Sequence, residues 1–168
     1  MAGALIVTAE IAPADLASLD RLRRAHYPPE RNQLPAHLTM IHALPPSAEG
    51  EVRRSLARLA SGAPPRASID GLMNLGSGVA FRIVSPDLDA VRQELAGNFH
   101  GLLSAQDRGG WRPHVTIQNK VSASDARQLL EVLDREFQPK PLGIAGLGFH
   151  RYLGGPWELI ERYSFRGG

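Results

Sequence analysis

The chain has 168 residues, 43% of them apolar and 21% charged, with a formal net charge of +2 and no cysteine. That length suits one domain with a real core, the composition is that of a globular protein, and no apolar run is long enough to span a bilayer. Disulfides, thiolate catalysis and Cys-ligated zinc are excluded, a cytoplasmic location is expected, and the charge is too small to coat nucleic acid broadly yet does not repel phosphates.

Residues 4–11 read as a strand, almost continuously apolar and therefore central. The stretch lacks a basic start, and Glu10 cuts it short, so a strand fits better than a signal peptide. Pro13 opens a helix with Leu16, Leu19 and Leu22 on its buried side; Tyr27-Pro28-Pro29 closes it. Arg23-Arg24 here, and Arg53-Arg54 in the next helix, read as solvated faces. A polar loop over 28–35 leads to a strand of about 36–44, stopped by Pro45-Pro46. Ser47 is the candidate N-cap of a helix over about 48–61, which Gly62 ends.

Residues 66–75 and 79–84 read as two strands joined by Gly76-Ser77-Gly78. Ser85 caps and Pro86 opens a helix of about 86–104, carrying Leu88, Val91, Leu95, Phe99 and Leu102. Residues 105–113 form a loop around Gly109-Gly110-Trp111, followed by a strand over 114–120 and a helix over about 124–136, capped by Ser122 or Ser124. The tail, 140–166, reads as two strands joined at Gly154-Gly155-Pro156.

Chemistry-bearing residues concentrate in the strand at 114–120. His114 and Thr116 share one face, with Gln118 and Lys120 further along it, while Val115 and Ile117 face a core. A second copy lies upstream at His37-Leu38-Thr39-Met40. One His-x-Thr is weak; two, each on a strand between two helices, in a chain with six histidines, are a strong signal. The order of elements suggests two lobes of like build facing each other across a cleft, one motif from each. His42 falls on the opposite parity from His37 and reads as a structural histidine. Arg151 and Tyr152 of the tail strand are candidates to reach the cleft, and Trp111 and Trp157 candidates to stack a base.

With His37-Leu38-Thr39-Met40 paired to His114-Val115-Thr116-Ile117, and a tail reading His150-Arg151-Tyr152-Leu153-Gly154-Gly155-Pro156-Trp157, the chain resembles the 2H phosphoesterase superfamily. That superfamily holds the 2′-5′ RNA ligase (LigT-like) and cyclic phosphodiesterase group. The resemblance implies a bilobal α+β fold with pseudo-twofold symmetry: two lobes of antiparallel sheet with helices outside and a cleft between. It also implies chemistry on 2′,3′-cyclic phosphates or 2′-5′ linkages that needs no metal or cofactor. Ligase-type members carry His-x-Thr-x-x-Arg at the second motif; here that sixth position is Asn119, a departure that weighs more against ligation than against phosphoesterase chemistry.

Opening a cyclic phosphodiester needs a base for the attacking water and an acid for the departing ribose oxygen. Histidine serves as either near neutral pH. The expectation is therefore that His37 and His114 form the acid–base pair. Thr39 and Thr116 would donate to non-bridging phosphate oxygens, and Gln118, Lys120, Arg151 and Tyr152 would contact substrate. The expected partner is a nucleotide or RNA-end phosphate, with no membrane, and the chain is expected to be a monomer. Competing readings are 2′-5′ RNA ligation by the reverse path, an RNA-end-binding module without turnover, and a His-ligated metal enzyme. The last is poorly served, because no His-x-x-x-His occurs.

Overall fold

The structure, a computed structural model, describes residues 3–167. Eight strands and five α-helices make up the described chain, with short 3-10 turns between some of them. β1 (Leu5–Ile11) leads into α1 (Pro13–His26), β2 (Leu38–Leu44) and α2 (Glu49–Leu59). β3 (Ala67–Asn74) and β4 (Val79–Val84) form a hairpin, followed by α3 (Pro86–Asn98), the one-turn α4 (Ala105–Arg108), β5 (His114–Gln118) and α5 (Ala123–Glu136). A short β6 (Lys140–Leu142) precedes the long hairpin of β7 (Ile144–Tyr152) and β8 (Trp157–Ser164).

The strands form two four-stranded sheets, ordered β2-β1-β7-β8 and β5-β4-β3-β6, antiparallel throughout. Each lobe runs from an inner strand through a helix to an edge strand: β1-α1-β2 in one, β4-α3-β5 in the other. Both His-x-Thr segments therefore occupy the rim of their own sheet. β1 is buried along nearly its whole length, as its continuous apolar run predicts, and with Leu147 and Phe149 of β7 it forms the centre of the first lobe. Phe81, Ile83, Val115 and Ile117 serve the second. α5 packs on β3 and β4, whereas α1 contacts β5 and α3 contacts β2, so each of these two helices also touches the other lobe's rim strand.

Several boundaries differ from the sequence reading. α2 starts at Glu49 behind Ala48, with no side-chain cap; Ser47 lies instead in a short 3-10 turn over Pro46–Ala48. The helix expected over 86–104 ends at Asn98, and a 3-10 turn over His100–Leu102 follows. Where a loop was expected, Ser104 accepts a hydrogen bond from the Asp107 amide and nucleates α4. β6 is an added strand; its Pro141 is tolerated because β6 lies at the sheet edge. Ser85 and Ser122 cap α3 and α5 as expected.

Candidate active site

His37 sits one residue before β2 and His114 is the first residue of β5. The two rings are held alike. Nδ1 of His37 lies 2.8 Å from the Pro35 carbonyl, and Nδ1 of His114 lies 2.7 Å from the Arg112 carbonyl. A carbonyl can only accept, so each Nδ1 carries the hydrogen and each Nε2 is left free. Both rings, with Thr39 and Thr116, line one cleft of about 350 Å³ between the lobes.

Side chains reach from each lobe to the backbone of the other lobe's rim strand. Arg23 of α1 donates to the Thr116 carbonyl at 3.0 Å and to Asn32 Oδ1 at 2.9 Å, with its guanidinium 4.3 Å from the Tyr27 ring centre. In return, Trp111 Nε1 donates to the Thr39 carbonyl at 3.1 Å, and Arg92 of α3 donates to the Met40 carbonyl at 2.6 Å. The backbone of each motif is thus anchored by the opposite lobe. Arg23 is only 4% exposed, which corrects its reading as a solvated residue. It follows Leu19 by four positions, and Arg92 lies between Leu88 and Leu95 on the buried stripe of α3. An arginine at a core position of a helical stripe was a visible sign of a buried role.

Both rim strands carry a β-bulge directly after the motif threonine. In β2, Thr39 and Ile41 pair with consecutive residues Thr8 and Val7, which leaves Met40 extra; in β5, Thr116 and Gln118 pair with Ala80 and Val79, which leaves Ile117 extra. A bulge reverses the alternation beyond it. Gln118, expected on the cleft face, therefore turns inward, and its Oε1 has no hydrogen-bond partner among the described residues. Lys120 lies past the strand end with φ of 62° and is exposed; it does not line the cleft. The same reversal in β2 brings His42, read as structural, onto the cleft wall. A strict period of two carried through both strands was the error.

Two other expected contacts lie elsewhere. Arg151 pairs with Glu49 and Glu158 outside the cleft. Tyr152 lines a neighbouring hollow with His42, Leu44 and Trp157. Trp157 is the tail residue that does reach the site: its ring lies 4.8 Å from that of His37 and 5.4 Å from that of His150. Behind this pair is a recess of about 210 Å³ floored by Thr8, Glu10 and His150, with Thr8 Oγ1 3.1 Å from His150 Nε2. Gly148 sits beneath them because a Cβ there would lie 2.5 Å from Thr8 Oγ1 and 2.8 Å from His150 Nε2.

Desolvation between Trp157 and the preceding loop pushes His37 down to about 4, against the hydrogen bond to Pro35; the charges of Arg23, His150 and His114 push the same way. The ring keeps an open edge on the cleft, so it is a neutral and accessible base at neutral pH. Burial also lowers His150. Among the described residues, no three His, Cys, Asp or Glu side chains cluster to cage a cation, and no helix is long and apolar enough to cross a membrane.

A sequence profile of the 2′-5′ RNA ligase superfamily matches residues 10–156, taking in both His-x-Thr segments. The chain belongs to the 2′-5′ RNA ligase superfamily. Its fold is that of solved proteins in the LigT group, which confirms the two antiparallel lobes expected from the sequence. TT0787 of Thermus thermophilus superposes with a TM-score of 0.68 at 18% identity, covering 98% of both chains. E. coli LigT complexed with 3′-AMP gives 0.61 at 14% identity, over 98% of this chain and 99% of that one. A further crystal structure, described as a phosphoesterase, gives 0.58 at 17% identity over 98% and 99%. No curated protein matches the chain by sequence. In this member of the superfamily both His-x-Thr segments lie on one cleft.

Proposed function

We propose that this member hydrolyses a 2′,3′-cyclic phosphate, or a related phosphodiester of a nucleotide or RNA end, by acid–base catalysis between His37 and His114. The observation that supports this most directly is the matched tethering of the two rings. Each spends Nδ1 on a carbonyl two residues upstream and keeps Nε2 for the shared cleft.

His37, held neutral, takes the proton from a water molecule through Nε2 as the water oxygen attacks phosphorus. The P–O bond to one ribose oxygen breaks on the opposite side, and protonated His114 gives its Nε2 proton to that oxygen. The product is a phosphomonoester beside a free hydroxyl, with the two rings left in exchanged protonation states that solvent resets. Thr39 and Thr116 donate to the non-bridging oxygens, where charge accumulates. Each acid or base contributes roughly 10²–10⁴ in rate. Trp157 offers a ring face to the base, and the 3′-AMP complex of E. coli LigT supports a nucleotide as ligand of this fold. Joining a 2′-5′ linkage would run the same path backwards.

The test is turnover of 2′,3′-cyclic mononucleotides, ADP-ribose cyclic phosphate and 2′-5′-linked dinucleotides, with EDTA present. Hydrolysis is expected to survive the chelator and to fall at least about 100-fold in His37→Ala and in His114→Ala. Full turnover in both variants would overturn the reading.

A further inference from the structure

The wall of the first lobe holds a third imidazole that the acid–base pair leaves unused. His42 lines the cleft with His37, Thr39, His114 and Thr116. Its Nδ1 lies 3.0 Å from Oδ1 of Asp107, a carboxylate that is wholly buried. The same carboxylate accepts from the His42 amide at 2.9 Å and the Ala43 amide at 3.0 Å, and from Ser104 Oγ at 3.1 Å. These two successive amides converge on one acceptor because β2 has a second register shift there: Leu5 and Val7 pair with Leu44 and Ile41. Arg92 completes the support, donating to the carbonyls of Met40 and of Asp107 itself.

Burying a carboxylate and a guanidinium is costly unless every polar group is satisfied. As a strut between α4 and β2, Asp107 would need only the two amides and Ser104. The ring bond is additional. What it achieves is orientation: with Nδ1 committed to the carboxylate, Nε2 is the only polar atom His42 has left for the cleft. Arg92 also lines the cleft, but its bonds to Met40 and Asp107 hold it to backbone carbonyls, so it supports the wall rather than meeting a ligand.

We infer that His42 is a third phosphate ligand of this cleft, its imidazolium form donating Nε2–H to a phosphate oxygen while Nδ1–H stays on the carboxylate, and that Asp107 positions it. The inference rests on the phosphoesterase reading for the identity of the ligand, but it can fail separately.

The probe is inorganic phosphate, titrated into the 15N-histidine-labelled chain. The His42 ring nitrogens, assigned by their absence in His42→Gln, are expected to shift as phosphate binds. His42→Gln is expected to weaken phosphate at least about tenfold, the loss of one charge-assisted hydrogen bond. It should also raise KM for the cyclic substrate by a similar factor, with kcat changed less than about threefold. Asp107→Asn tests positioning: neutral His42 is expected to be Nδ1-protonated in the parent chain and a mixture of tautomers in the variant, which a purely structural carboxylate would not produce. If Asp107→Asn does not fold, the His42→Gln arm stands by itself. Unchanged phosphate affinity in His42→Gln, or a parent chain that binds no phosphate, would overturn the inference. Turnover surviving both His37→Ala and His114→Ala would instead overturn the phosphoesterase reading.

Discussion

His37 is held neutral by its surroundings, and its pH behaviour follows from that. In the free chain it stays neutral down to about pH 4, so the acid limb of kcat/KM is expected near that value. An anionic phosphate in the cleft favours the protonated ring, so the corresponding limb of kcat should lie higher. A pH–rate study of both parameters checks this; coincident limbs near pH 6.5 would contradict it. Stability is linked to the same proton. The unfolded ring titrates near 6.5 and the folded one near 4, so the unfolded chain binds more protons in between. Stability is therefore full above about pH 6.5 and lost as pH falls towards 4, by no more than about 3 kcal/mol given the ring's open edge. Urea titrations across that window should show a shallower slope for His37→Asn. Some slope should remain, since His150 is shifted in the same direction. The identities of His37, Thr39, His114 and Thr116 as cleft residues were legible from the sequence, because a repeated His-x-Thr on strands fixes which face the side chains share. Their unequal environments were not. The enclosure of His37 comes from Trp157, 120 residues further along.

At the scale of elements, the bulges after Thr39 and Thr116 decide which neighbours join the histidines. The strand boundaries could be read from proline positions and alternation, but an extra residue in one strand leaves no mark of its own in a single sequence. Gln118 and His42 were therefore each assigned to the wrong face, while Lys120 lies beyond the strand end and belongs to neither. At the bulge in β2, Arg92 holds the Met40 carbonyl from α3. Arg92→Leu removes both buried donors and leaves the carbonyls of Met40 and Asp107 unpaired. A loss of about 2–6 kcal/mol is expected by urea unfolding, at roughly 1–3 for each of the two orphaned groups. A lower kcat/KM should accompany it, because the wall carrying Thr39 and His42 loosens. An unchanged midpoint would show that the guanidinium is not holding the bulge.

Across the whole molecule, two lobes of like build were expected from the order of elements, and the sheet orders β2-β1-β7-β8 and β5-β4-β3-β6 bear this out. The reciprocal bracing between the lobes was not foreseen, because Arg23 and Trp111 meet partners 93 and 72 positions away in the chain. Arg23→Met keeps much of the buried bulk but strips the Thr116 carbonyl of its cross-lobe donor. The expected cost is about 1–3 kcal/mol of stability. Since the Arg23 charge also depresses His37, the acid limb of kcat/KM should move upward in this variant. A limb that stays in place would show that the charge is screened from the ring.

That bracing has a consequence for how copies of the chain can associate. The rims that carry His37 and His114 would ordinarily invite a foreign strand to extend the sheet, but carbonyls of Thr39, Met40 and Thr116 are already engaged by Trp111, Arg92 and Arg23. The outer rims are β8, studded with Glu158, Glu161 and Arg162, and the short β6 with its proline. Any ribbon-to-ribbon assembly is thereby steered to β8 and β6, the margins farthest from the cleft in strand order.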